Sequence, residues 1–160
     1  MRDLVVRPLV TTDEPLLAAA TLENLNWTGR HFTMKDVQER PEFRHYTQLV
    51  LGRGDFGLVA GDAGGSLAVA SAMFFPADDP GYGFLDESTP EISLWVREDF
   101  RGRGVGRLLL RRLQQETATR GLPGLSLSVE AGNYAKRLYA SEGFRQVIGR
   151  KQDGLMMWAC

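Results

Sequence analysis

The sequence has little of the chemistry that marks secreted, metal-binding or nucleic-acid-binding proteins. Its single cysteine, Cys160, excludes a disulfide framework and favours a reducing compartment. His31 and His45 are the only histidines, and no cysteine or histidine cluster has metal-ligand spacing, so we expect no metal. The 19 Lys and Arg residues against 20 Asp and Glu give a net charge of −1. This balance predicts neither a nucleic-acid nor a membrane partner.

Long apolar runs and internal repeats are also missing. No apolar run approaches the roughly 18 residues of a membrane span. The short apolar run near the start is cut by Pro8, which makes a poor signal peptide. The hydrophobic share of 43% is ordinary for a globular protein, and 160 residues suffice for one core. We therefore expect a single soluble, cytoplasmic domain over residues 1–160.

Glycine and arginine are concentrated in one stretch, residues 91–113. Alternating apolar side chains over 91–96 predict a buried strand. Helical spacing of apolar residues from 105 onward predicts an amphipathic helix, whose inward face consists of Val105, Leu108, Leu109 and Leu113.

The turn between this strand and this helix suits an anionic ligand. Three glycines without Cβ atoms would let a ligand approach the backbone closely: Gly102, Gly104 and Gly106. The unpaired amides and positive dipole end of the helix attract an anionic group such as a pyrophosphate. Three guanidinium groups with a geometry that fits phosphate oxygens surround the turn: Arg101, Arg103 and Arg107.

Two common phosphate-binding motifs do not match the turn. A P-loop needs Lys and then Ser or Thr after its last glycine, where this chain has Arg107 and Leu108. The dinucleotide-binding fingerprint needs a third glycine two residues further on, which is missing. The pattern Arg101-x-x-Gly104-x-Gly106 after a strand instead resembles the acyl-CoA pyrophosphate loop of the GNAT N-acetyltransferase superfamily.

A second motif strengthens this resemblance. The family carries Asn-x-x-Ala-x-x-Leu-Tyr-x-x-x-Gly-Phe after its fifth strand, with one residue of freedom around the alanine. This chain supplies the motif with Asn133, Ala135, Leu138, Tyr139, Gly143 and Phe144. Both motifs stand in the family's order and strand–helix contexts, so the chain is identified as a member of the superfamily.

The elements along the chain predict an α+β fold. We expect strands over 4–8, 56–62, 66–75, 91–96, 125–129, 146–149 and 155–159. Between them we expect four helices, ending near residues 25, 39, 120 and 142, and a long loop over 76–90. This order implies a mixed, mostly antiparallel sheet of about seven strands with helices on its faces. The resemblance adds a bulge in the strand of Leu94 and a splay from its parallel neighbour.

The resemblance implies where acetyl-CoA, the cosubstrate, would bind. Its pantetheine would enter the splay and pair with the backbone, and its pyrophosphate would lie on the glycine turn. An amide of Leu94 or Trp95 would polarise the thioester carbonyl. Asn133, first a helix cap, would help to hold the pantetheine. The complete expected cofactor-binding set is Leu94, Trp95, Val96, Arg101, Gly102, Arg103, Gly104, Val105, Gly106, Arg107 and Asn133.

Two residues are expected to carry the catalysis. In the family a tyrosine at the position of Tyr139 protonates the departing thiolate, although periodicity alone favours a packed tyrosine. Glu91, at the start of the central strand, is the candidate general base, with solvation as the alternative to that role. Asp86 and Glu87 in the preceding loop are rivals for it.

The acceptor is left open by the sequence. Three aromatic residues could line its pocket or belong to the core: Trp27, Phe32 and Trp158. Protein N-termini, lysine, polyamines, antibiotics and small metabolites are all compatible, and so is a homodimer. Cys160 lies outside both motifs, which favours direct attack by a primary amine over an acyl-cysteine step. The competing hypotheses are an inactive acyl-CoA-binding module and a nucleotide-binding protein.

Overall fold

The computed structural model describes residues 3–160, with seven strands and five helices in this range. The strands are β1 (Val5–Pro8), β2 (Phe56–Asp62), β3 (Gly65–Met73), β4 (Glu91–Val96), β5 (Gly124–Ser128), β6 (Arg145–Gln146) and β7 (Leu155–Ala159). The helices are α1 (Glu14–Leu25), α2 (Met34–Glu39), α3 (Pro41–Arg44), α4 (Val105–Thr119) and α5 (Ala135–Ser141). None of these helices is long and apolar enough to cross a membrane.

The strands form one mixed sheet in the order β1-β2-β3-β4-β5-β7-β6. Every neighbouring pair is antiparallel except β4 and β5, which are parallel. The expected α+β fold with a mixed, mostly antiparallel sheet is therefore confirmed. The parallel pair in the middle follows from the chain order, because α4 crosses over one face of the sheet between β4 and β5.

Three details differ from the expectations. A fifth helix is present because Pro41, which was expected only to interrupt α2, begins the one-turn helix α3; proline is well suited to the first helical position. β6 ends at Gln146 because Val147 and Arg150 close a turn by a backbone hydrogen bond. β3 pairs with β4 in one unbroken register, so the bulge expected in β4 is not found there. The register shift lies between β2 and β3, where Ala60 pairs with Ala68 and Gly61 with Ser66.

Each face of the sheet carries its own apolar core. α4 and α5 cover one face, where α4 buries Val105, Leu109, Leu110 and Leu113. Leu110 thus takes the inward place that was expected for Leu108, which is only half-buried. α1 covers the opposite face, and its Leu17 and Ala20 pack with Val69, Met73 and Trp95 of the sheet.

The loop over 76–90 lies against the start of β4 and β5. Ser126 of β5 donates its hydroxyl to the Gly83 carbonyl at 2.7 Å. The Tyr82 amide donates to the Tyr46 hydroxyl at 2.7 Å, which ties the loop to the 3₁₀ turn His45–Thr47. The loop is therefore anchored on both sides of the point where β4 begins.

Candidate active site

The central feature of the site is an opening between the two parallel strands. β4 and β5 pair only at Glu91 and Ser126, where the Ser126 amide donates to the Pro90 carbonyl at 3.0 Å. Beyond this pair the strands separate, so most of one edge of β4 has no strand beside it. The expected splay is confirmed.

The backbone groups that face the opening follow from strand geometry. In a strand, consecutive residues direct their amide and carbonyl groups to alternate sides. The Arg97 amide bonds the Leu67 carbonyl of β3 at 2.8 Å, and the Pro90 carbonyl bonds β5. Leu94 and Val96 therefore direct their amides toward the opening.

Because of this alternation, the backbone amides of Leu94 and Trp95 point to opposite edges of β4. Trp95 pairs with Val69 of β3, so its amide does not face the opening, and the expectation that it could polarise a bound carbonyl is wrong. Its indole lies on the α1 face and donates a hydrogen bond to Glu23. The Leu94 carbonyl is already used, since it accepts from Asn24 Nδ2 at 3.2 Å. Of Leu94 and Trp95, Leu94 is therefore the one that offers its amide on this edge.

The glycine turn lies at the far end of the opening. Gly102 and Gly104 have φ angles of +76° and +83°, a left-handed conformation that favours glycine. The Leu108 amide bonds the Gly104 carbonyl at 3.0 Å, and the earlier amides of α4 have no preceding helical carbonyl to bond. A Cβ placed on Gly104 would meet no atom within 4 Å, so the space beside it is open. The turn can therefore accept an anion on its free amides.

The three arginines of the turn have different surroundings. Arg101 Nε donates to the Val96 carbonyl at 3.3 Å, next to the opening. The Arg103 guanidinium lies over the Phe100 ring, 4.7 Å from its centroid, and is exposed. Arg107 instead forms an ion pair with Glu142 at the end of α5. Of these three arginines, Arg101 and Arg103 thus form no salt bridge with a carboxylate within residues 3–160.

Tyr139 lies on α5 in the core shared with α4. Its side chain is buried and packs edge-on against Phe144, with ring centroids 5.8 Å apart. Burial, helped by Tyr134, raises the pKa of Tyr139 to about 12. A phenol with this pKa keeps its proton at neutral pH and can act as a proton donor. Asn133 precedes the helix, and its Oδ1 accepts from the Ala135 amide at 2.9 Å, as a cap does.

Glu91 is buried at the closed end of the opening, contrary to the alternative that it is solvated. Only 5% of the residue is exposed, and its Oε2 accepts a hydrogen bond from the Tyr46 hydroxyl at 2.6 Å. Burial raises the pKa of Glu91 to about 7, although Tyr46 and a backbone contact from Gly83 act in the opposite direction. A carboxyl with this pKa can accept or release a proton near neutral pH.

The rival carboxylates are engaged within their own loop. Burial acts to raise the pKa of Asp86, but hydrogen bonds from Thr89 and Ser88 outweigh it and hold the pKa below its usual value. Glu87 Oε2 accepts from the Ala77 amide at 2.7 Å. Both side chains stabilise the loop, which leaves Glu91 as the better candidate for a base.

The three aromatic residues do not form one pocket. Trp27 Nε1 donates to Glu130 Oε2 at 3.1 Å, so this hydrogen bond joins the loop after α1 to the loop after β5. Phe32 packs edge-on against Phe43, 5.1 Å between centroids. Trp158 lies on β7 opposite Leu125 and packs on the core under α4 and α5, which agrees with the alternative that it belongs to the core.

Sequence reasoning missed Tyr46 and Gly81, which both lie against the Glu91 carboxyl. Tyr46 is 45 residues away from Glu91 along the chain, and no local motif surrounds it. No group of three or more His, Cys, Asp or Glu residues that could hold a metal ion is found within residues 3–160.

Comparisons with known proteins agree with this geometry. The profile of the Acetyltransferase (GNAT) family matches residues 19–144, which include both motifs and the opening. The chain therefore belongs to the GNAT acetyltransferase family.

Individual relatives add detail. A stretch of 68 residues is 44% identical to the ribosomal protein bS18-alanine N-acetyltransferase of Salmonella typhimurium, covering 42% of this chain and 45% of that protein. The match thus spans less than half of this curated relative. The ribosomal-protein-alanine N-acetyltransferase of Brucella melitensis has 26% identity and a TM-score of 0.64 over 98% of this chain and 99% of that one. The PaiA N-acetyltransferase of Thermoplasma acidophilum, solved with coenzyme A, shares the fold at 14% identity, with a TM-score of 0.71 and 99% coverage of both chains.

Proposed function

We propose that the protein transfers an acetyl group from acetyl-CoA to a primary amine by direct attack. The observation that carries the proposal is the unpaired edge of β4, which leads from Glu91 to a glycine turn with free amides. An extended amide-bearing chain can pair with such an edge, and a pyrophosphate suits the turn. The residues present therefore fit acetyl-CoA, and the crystallised complex of PaiA with coenzyme A supports this assignment.

Each group of the site has a role in this proposal. Acetyl-CoA supplies an acetyl group that its thioester activates. The Leu94 amide donates to the carbonyl oxygen and stabilises the negative charge that develops there. Glu91 takes a proton from the acceptor ammonium, and Tyr139 gives one to the departing sulfur. Asn133 and the backbone of residues 102–107 would hold the rest of the cosubstrate.

Direct attack is favoured over an acyl-enzyme. The only cysteine, Cys160, follows β7, and burial raises the pKa of its thiol, which reduces its thiolate fraction. The amine itself is therefore the nucleophile in our proposal.

We further propose that the acceptor is the α-amino group of a polypeptide. Two relatives are ribosomal-protein-alanine N-acetyltransferases, which supports this class. The acid–base match supports it too, since Glu91 with a pKa of about 7 is close to an α-ammonium, whose pKa is about 8, whereas a lysine side chain is near 10.4. A ribosomal acceptor would also agree with a cytoplasmic location.

The alternative is an acyl-CoA-binding module without catalysis. The presence of Tyr139 and of a buried carboxyl at the closed end of the opening favours the enzyme, because mere binding requires neither. Steady-state assays with acetyl-CoA and three acceptors separate the hypotheses: a peptide that begins with alanine, the same peptide blocked at its N-terminus but carrying one lysine, and spermidine.

We expect the free alanine peptide to be acetylated fastest. Acetyl-CoA binding without turnover of any amine would favour the module, and preferred binding of ATP or NAD would contradict both hypotheses. Faster acetylation of the lysine peptide would contradict the acceptor class alone.

A further inference from the structure

The two oxygens of the buried Glu91 carboxyl differ in their side-chain hydrogen bonds. Its Oε2 accepts the Tyr46 hydroxyl at 2.6 Å, whereas its Oε1 is buried and has no hydrogen-bond partner among residues 3–160. Buried polar atoms in native proteins are nearly always paired, and an exception calls for a reason such as a catalytic role. The two oxygens of this carboxyl are therefore not equivalent.

The direction of the Tyr46 hydrogen bond is fixed by its other contacts. The hydroxyl accepts the Tyr82 amide at 2.7 Å and has one hydrogen, which it donates to Glu91. The His45 ring stands edge-on to the Tyr46 ring, with centroids 4.5 Å apart. The Phe75 ring also packs on the Tyr46 ring, with centroids 5.2 Å apart. His45 is itself held by Asp79, 3.0 Å from Nδ1 to Oδ1. The phenol is thus locked in place before it meets Glu91.

The residue that lies against Oε1 is a glycine. A Cβ on Gly81 would stand 2.0 Å from Glu91 Oε1 and 2.6 Å from the Tyr46 hydroxyl oxygen. Any side chain at position 81 would therefore displace the carboxyl and its partner. The absence of a side chain at position 81 therefore leaves the room in which the carboxyl and the phenol sit.

We propose that Tyr46 is a positioning residue for Glu91, holding Oε2 so that Oε1 is the oxygen that receives the proton of the acceptor ammonium. The inference rests on the proposed function. In the transfer, the N–H bond of the ammonium breaks and its electron pair stays on nitrogen for the attack. An O–H bond forms at Oε1, and the carboxylate becomes a neutral acid. Tyr46 keeps its own proton throughout.

The proposal predicts a change in pH dependence. The titratable groups around the carboxyl are Tyr46 and Tyr82, together with His45 and its partner Asp79. The neighbouring strands β3 and β5 contribute Met73 and Ser126 opposite Glu91, and neither titrates. The hydrogen bond from Tyr46 lowers the pKa of Glu91, so we expect its removal to raise the pKa of this carboxyl further.

The test compares Tyr46→Phe with Tyr82→Phe. Both substitutions remove one phenolic hydroxyl, but the Tyr82 side chain is exposed, and the hydrogen bond from Tyr82 to Tyr46 comes from its backbone amide. We expect the acidic limb of kcat/KM to move up by about one pH unit in Tyr46→Phe, with about a tenfold loss below the limb. The limb of Tyr82→Phe should remain that of the wild type. An unmoved limb in Tyr46→Phe would overturn the proposal.

A second readout needs neither turnover nor a variant of Tyr46. In protein labelled with ¹³C at the tyrosine ring carbon that bears oxygen, the Tyr46 signal should titrate together with the Glu91 carboxyl carbon, near pH 7. Independent titration of the two signals would contradict the hydrogen bond. The titration requires no acetyl-CoA. If the wild-type protein acetylates no amine, the proposed function is refuted, while the titration still tests the hydrogen bond between Tyr46 and Glu91.

Discussion

Replacing Gly104 by valine tests the assignment of the glycine turn. The φ angle of Gly104 is +83°, so a β-branched residue is strained there, and we expect a folding cost of roughly 1–3 kcal/mol. Domains typically have about 5–15 kcal/mol of stability, so the variant should fold. The new side chain points into space with no protein atom within 4 Å of its Cβ. If the pyrophosphate lies there, affinity for CoA should fall at least tenfold, or about 1.4 kcal/mol.

Gly121→Val provides a matched control at the other end of α4. Its φ angle is +70°, and a Cβ there also meets no atom within 4 Å, so the backbone strain is similar. Urea unfolding should report comparable losses of stability in both variants. Calorimetric titration with CoA should report a loss of affinity in Gly104→Val alone. Equal affinities in the two folded variants would refute the reasoning.

Three further predictions concern the acid, the base and the arginines. Tyr139→Phe should lower kcat by about 10²–10⁴-fold with little change in acetyl-CoA affinity. Since the pKa of Tyr139 is about 12, deprotonation of this group should cause no fall of the wild-type rate up to pH 10. The pKa of Glu91 is raised from 4.5 to about 7, so the proton stabilises the fold below pH 4.5 and this stabilisation is lost as pH rises through 7. The free energy of unfolding of the wild type minus that of Glu91→Gln should therefore fall by roughly 3 kcal/mol between pH 4 and pH 8. A difference that stays constant with pH would contradict the burial of this carboxyl. Arg101→Ala should weaken CoA binding roughly fivefold, with the largest loss at low salt. Arg107→Ala should mainly lower the free energy of unfolding in urea, because it removes a partner of Glu142. A loss of stability in Arg101→Ala and a loss of CoA affinity in Arg107→Ala would contradict the geometry.

The features that sequence predicted well are those that local patterns determine. The strand–turn–helix unit follows from alternation, glycine and helical spacing within one short stretch, and the structure has β4 and α4 there. The helix that carries Tyr139 follows from its own motif in the same way.

The features that sequence did not predict depend on distant contacts. The place of Trp95 is decided by its pairing with Val69 on β3, and the ion pair of Arg107 is decided by the packing of α5 on α4. Burial of Glu91 comes from Tyr46 and Gly81, which the fold brings together from two separate segments. No spacing within a single segment contains that information.

The most direct test of the account is an amide NMR titration of the protein with CoA. If the cosubstrate occupies the opening, the largest shifts should fall on the amides of Leu94 and Val96 and on those of residues 104–107, which face the opening or begin α4. The Trp95 amide, which pairs with β3, should shift less than its two neighbours. Saturable binding that leaves these amides unchanged, or that perturbs another face of the sheet, would contradict the account.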